Sequence, residues 1–163
     1  MEENKQIERI NKIIKDTSTC MLVSLKSDQM NARPMQIAKH DSEGNIWFLT
    51  DEESSKVQEI YHDHDVLLAF SNLDSNSYLS INGKAVIVDD QEMKKELFNI
   101  FAKAWFPEGP ESEKLVLIKV NPSNAEYWDG SGSKLVQLFK MGKAVLTNEK
   151  YQTKDEDHGE VSL

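Results

Sequence analysis

Residues 46–58 read IWFLTDEESSKVQ, an apolar run that breaks into Thr50, Ser54, Ser55 and Lys56 with three acids among them. Two chemistries fit this set. Hydroxyls donate to phosphate oxygens, lysine supplies charge, and a helix starting here adds unpaired N–H groups and the positive end of its dipole. Equally, Thr50 with Glu53, and Ser55 with Gln58, match the S/T-x-x-E/Q capping box, in which the same groups merely start a helix. Glu52 and Glu53 oppose an anion unless they face away from it. On these residues alone both readings stand.

Arg33 is one of two arginines and sits in a strand-like run beside Ala32, Pro34 and Met35. Its planar fork suits phosphate or carboxylate, and an ordinary ion pair on a strand face is the competing reading. If 30–38 and 45–50 pair through the turn at 41–44, Arg33 falls at the same end of the sheet as residues 50–56. A phosphate pocket of Arg33, Lys56 and two or three hydroxyls would follow.

The remaining constellations are weaker. Trp47, Trp105 and Trp128 could each stack on a flat ligand, but a tryptophan more often plugs a core. In YHDHD (61–65), His62 and His64 stand two apart, which on a helix points them to different sides, so no metal site is expected. Cys20 is the only cysteine, lies in an apolar run and reads as a buried hydrophobe. G-x-S-x-G, H-E-x-x-H, P-loop and glycine-rich dinucleotide motifs are absent. No acid–base set for a defined reaction stands out, and catalytic residues stay unassigned.

The elements that must position these groups follow from periodicity. Isoleucines 7, 10, 13 and 14 give an amphipathic helix over 2–15. Strands are expected at 17–25, 30–38, 45–50, 65–71, 76–90, 114–122 and 125–130. Pro34 puts the second at an edge or a bulge, and Gly83 puts a bulge or bend in the fifth. Helices are expected at 54–63, then along the stripe Met93, Leu97, Ile100, Phe101 and Ala104, and at 133–146. The turns between early strands are too short for parallel crossovers. The fold class is therefore mainly β with α: a closed or split antiparallel barrel with peripheral helices. One domain is expected over 1–148, with a loose polar tail over 149–163.

The formal charge of −9 on 163 residues opposes a nucleic-acid partner, which needs clustered lysine and arginine. No run approaches a membrane span and MEENKQIERI carries no export signal, so a cytoplasmic protein without a membrane partner is expected.

ARPM, WFLTDEESSKVQEI, YLSINGKAVIVDD, AWFPEG and AEYWD, in this order, resemble the general stress protein 26 group. That group belongs to the pyridoxamine 5′-phosphate oxidase-like, FMN-binding split-barrel superfamily. The similarity covers residues 5–145. It implies a split barrel that forms a homodimer with two flavin sites (FMN or FAD) at the interface. By resemblance, Arg33 and Met35 lie along the flavin, while Phe48, Leu49 and Thr50 meet its ring and ribityl chain. Ser54, Ser55 and Lys56 hold its phosphate, and Trp105 and Trp128 approach from across the interface. The pyridoxamine oxidases proper use late arginine and histidine residues for substrate, whereas here no arginine follows Arg33, so vitamin B6 oxidation is not expected. Three functions follow: a flavin-dependent oxidoreductase of unnamed small-molecule substrate, a non-catalytic flavin- or small-ligand-binding module of the stress response, or a well-capped barrel without cofactor.

Overall fold

In the computed structural model, which describes residues 2–130, 147 and 158–163, eight strands form one antiparallel sheet. They are β1 (Thr19–Lys26), β2 (Gln29–Gln36), β3 (Lys39–His40), β4 (Ile46–Asp51), β5 (Asp65–Asn72), β6 (Ser77–Val88), β7 (Leu115–Trp128) and β8 (His158–Ser162). The order is β2-β1-β5-β6-β7-β4-β3, with β8 also on β7. The two ends of this path, β2 and β3, are separated in the chain only by Ile37 and Ala38. The sheet must therefore curl until its ends approach. Among the described residues no ladder joins β2 to β4, and the molecule is a split barrel.

Alternation explains which side faces in. Cys20, Leu22 and Ser24 of β1 are buried, whereas Met21 is exposed. The interior is filled by Leu22, Phe48, Leu68, Phe70, Ile81, Ile118 and Tyr127, and Ile10, Ile13 and Ile14 of α1 (Glu2–Thr17) join them. A smaller cluster of Trp47, Leu97 and Leu117 packs on the other face of the sheet under α3 (Gln91–Leu97).

Proline and glycine signals are honoured. β2, which carries Pro34, is an edge strand. Gly83 marks a register shift in the β6–β7 ladder, where a Cβ would lie 2.6 Å from Asn121 O.

Four expectations are corrected. Strands 30–38 and 45–50 do not pair along their length; only residues 38–40 reach β4, through Ala38 N to Trp47 O and the two-residue β3. The single helix expected through Ala104 divides at Phe98–Asn99 into α3 and α4 (Ile100–Trp105), because Asn99 turns extended and its side chain accepts from Ala102 N. The two strands expected at 114–122 and 125–130 are one, since Pro122 sits opposite Gly83 at the bulge, where a missing ladder donor is tolerated. Residues 158–162 of the expected loose tail form β8, whose Val161 joins the core. The helix expected at 133–146 lies outside the described residues. No helix among the described residues is long and apolar enough to cross a membrane.

Candidate functional site

A cleft of about 530 Å³ opens where the barrel is split. One wall is the outer edge of β2, which pairs with no strand among the described residues, with Arg33 and Met35. The second is the end of β4 and the start of α2 (Ser55–His62), with Leu49, Thr50 and Lys56. The third is α4 and its exit, with Phe101, Trp105 and Phe106. The cleft thus gathers Arg33 and Lys56, as the sequence suggested, although across the split and without the proposed strand pairing.

The charged end of the cleft is built on α2. Ser54 is its N-cap residue, yet the Ser54 hydroxyl donates to Asp51 O at 2.6 Å and makes no bond to the helix N–H groups. The capping-box reading is corrected accordingly: neither Thr50 nor Ser55 caps this helix, whose first turn has no side-chain cap. Lys56 Nζ donates to Thr50 Oγ1 at 3.0 Å, and Thr50 Oγ1 lies 3.4 Å from Ser54 Oγ. Lys56 forms no ion pair among the described residues. Burial lowers its pKa, and the nearby Arg33 charge lowers it further, beyond what Asp51 and Glu59 restore. The Arg33 guanidinium therefore lies near enough to disfavour the charged form of Lys56. Glu52 and Glu53 are exposed, and Glu53 reaches Lys114 at 3.3 Å.

Arg33 is fixed by residues that the sequence did not single out. Its Nη2 donates to Glu59 Oε2 at 2.8 Å and its Nη1 to the Ser24 hydroxyl. Ser24 Oγ donates to Glu59 Oε2 at 2.5 Å, and Asn31 Nδ2 to Glu59 Oε1 at 3.0 Å. Arg33 therefore forms an ion pair, with Glu59. Two of the guanidinium's five N–H donors are used in this way. Burial works to raise the Glu59 pKa, but hydrogen bonds from Ser24, Arg33 and Asn31 outweigh it and hold the carboxyl below its usual range. The signal available beforehand was Ser24 itself, a hydroxyl at an inward position of an apolar strand.

The other candidates fall elsewhere. Phe48 is wholly buried in the barrel core. Ser55 lines a separate groove with Lys26, Gln58 and His62. Trp128 stacks on His158 with ring centroids 5.3 Å apart and is not among the cleft residues. Of the three tryptophans Trp47 is core, whereas Trp105 is 82% and Trp128 40% exposed, correcting the core expectation for both. A larger cavity of about 790 Å³ between α1 and the 41–44 turn is lined by isoleucines together with Lys15, Lys39, His40, Asp41 and Glu43, and holds none of these groups. His62 Nδ1 meets Gln58 O and His64 Nδ1 meets Ala85 O; no metal-ligand cluster occurs among the described residues. Burial pushes the Cys20 thiol up to about 12, so it stays protonated.

The profile of the family described as pyridoxamine 5′-phosphate oxidase like matches residues 5–152. The chain belongs to this family. It is similar to the Neurospora crassa protein bli-3, 26% identical over 131 residues, spanning 75% of this chain and 63% of that protein. It thus covers less than two thirds of that relative. Among solved structures it resembles the general stress FMN/FAD binding protein of Xanthomonas citri (29% identity, TM-score 0.68, 77% of this chain and 89% of that one). General stress protein 26 of Bacillus anthracis str. Sterne is also similar (28% identity, TM-score 0.67, 74% and 91%). A Jannaschia sp. CCS1 protein assigned to general stress protein 26 shares the fold over 98% of this chain (22% identity, TM-score 0.80, 99% of that chain).

Proposed function

We propose that this family member binds a flavin, FMN or FAD, in the cleft at the split of the barrel and acts as a flavin-dependent oxidoreductase. The observation that carries the reading is the pairing of Lys56, which has no ion-pair partner among the described residues, with Arg33 beside an uncapped helix start. This donor set fits a phosphate monoester: two cations, the Thr50 hydroxyl and helix N–H groups, with the neighbouring glutamates turned outward. Met35 and Leu49 supply apolar surface for a flat ring, and Phe101, Trp105 and Phe106 wall it from water. The outer edge of β2 offers backbone donors and acceptors, unpaired among the described residues, for the polar rim of that ring. When bound, the flavin supplies the hydride chemistry, and the chain's residues bind, orient and shield it.

A homodimer accompanies this reading. The outward positions of β2, β1 and β5 place Met21 beside Pro34 and Ala69, and Val23 beside Ala32 and Leu67. An apolar sheet face of this kind marks an interaction surface, and a second copy covering it would also bring its own aromatic residues, Trp128 among them, towards the cleft. A non-catalytic binding module is the second reading, favoured because Asp51 is the only carboxylic acid among the described cleft residues.

Titration of the purified protein with FMN and FAD, followed by flavin absorbance and fluorescence, tests the proposal. Binding at micromolar flavin is expected; no binding rejects both readings. Reoxidation kinetics of the bound flavin after reduction by NADH or NADPH, with and without candidate acceptors, separate enzyme from module.

A further inference from the structure

We infer that Glu59 is the positioning residue of the anion seat: acting through Ser24 and Arg33, it sets the preference of the cleft for a phosphorylated over an unphosphorylated flavin. The inference rests on the flavin reading above and extends it to a side chain that need not touch the ligand.

The case begins with charge. A carboxylate close to a phosphate site is unfavourable on electrostatics alone, so its presence requires an offsetting role. Glu59 is 5% exposed and takes hydrogen bonds from three side chains, Ser24, Asn31 and Arg33, all on the β1–β2 hairpin. It stands three residues beyond Lys56 on α2, so one helix carries both the ammonium, which has no ion pair among the described residues, and the carboxylate that anchors the arginine. Arginine on an edge strand has a long side chain with many rotamers. Here two bonds on separate nitrogens fix the plane of the guanidinium, one to Glu59 and one to Ser24, itself held by Glu59. The remaining N–H groups are thereby pre-oriented in a residue that lines the cleft, and pre-orientation raises affinity by reducing the ordering that binding requires. A purely structural tie between hairpin and helix would need no such arrangement around a cleft-lining cation, and it would not distinguish ligands by their phosphate.

That distinction gives the experiment. Dissociation constants for FMN and for riboflavin are measured with the wild type, Glu59→Gln, Arg33→Ala and the double variant, alongside thermal unfolding. The wild type is expected to prefer FMN. Glu59→Gln should lose about tenfold of that preference with riboflavin affinity unchanged, and in the Arg33→Ala background it should cause no further loss. Ser24→Ala, which leaves the Arg33–Glu59 pair intact, should shift the ratio in the same direction by less, and it carries the test if Glu59→Gln does not fold. An unchanged ratio, equal losses for both ligands, or tighter FMN binding in Glu59→Gln overturns the positioning role while leaving the flavin reading in place. Failure of the wild type to bind either flavin overturns that reading and this one together, and equal wild-type affinity for the two flavins overturns the phosphate seat.

Discussion

Helices α2 and α4 flank the same cleft but are held to the molecule in opposite ways. α2 buries Val57, Glu59 and Ile60 and is stitched to the β1–β2 hairpin by the Glu59 network. α4 buries only Ala102, and exposes Ile100 at 80%, Phe101 at 65% and Trp105 at 82%. What fixes α4 is its Asn99 cap and the buried Phe106 that follows it. The charged wall of the cleft is thus completed by the chain's own core. The aromatic wall presents surface that the described residues leave uncovered.

The contrast makes measurable claims. Ile60→Ala, at a fully buried position of α2, should cost ~2–5 kcal/mol in chemical denaturation. A loss as small as that of a surface change would show α2 to be no better anchored than α4. Next, Lys56→Ala should weaken FMN binding by ~1–3 kcal/mol in fluorescence titration, while its unfolding midpoint stays near the wild-type value. A third check uses pH. The Glu59 pKa is depressed in the fold from its ordinary 4.5. Its contribution to stability is therefore fully present above pH 4.5 and is lost as pH falls through the lower folded value. Denaturation of the wild type and Glu59→Gln at a series of pH values should show a gap at neutral pH that closes in acid. The smallest effect is expected on α4: Ile100→Ser should change stability by no more than ~0.5 kcal/mol in dilute protein. A larger loss that grows with protein concentration would mean that a second copy covers this helix.

How much of this was legible depended on whether one residue type had one local meaning. Pro34 and Gly83 did, because a missing donor and a missing Cβ restrict where a strand can place them, and the edge and the bulge were both found. The stripe Met93 to Ala104 did not: its helical period continues across Phe98–Asn99, and only the side-chain cap of Asn99 reveals the break. Arg33 and Lys56 were visible as cations suited to a phosphate, but nothing in the sequence singled out Glu59. Its burial depends on contacts with Ser24 and Asn31, 35 and 28 residues away, which no local pattern encodes. β8 was missed for a similar reason, since HGEVS is too short and polar to read as a strand until β7 supplies its partner.

The outer edge of β2 has a consequence for handling the protein. An unpaired strand edge is a template on which another chain can add, the usual first step of edge-to-edge aggregation. Pro34 lies in the middle of that edge and cannot donate to an incoming strand, so it interrupts the template. The same edge can then remain open to a small ligand while resisting a polypeptide. Replacing Pro34 with valine would restore a continuous row of donors, and the cost would appear as precipitation on concentration or storage, ahead of any change in the fold.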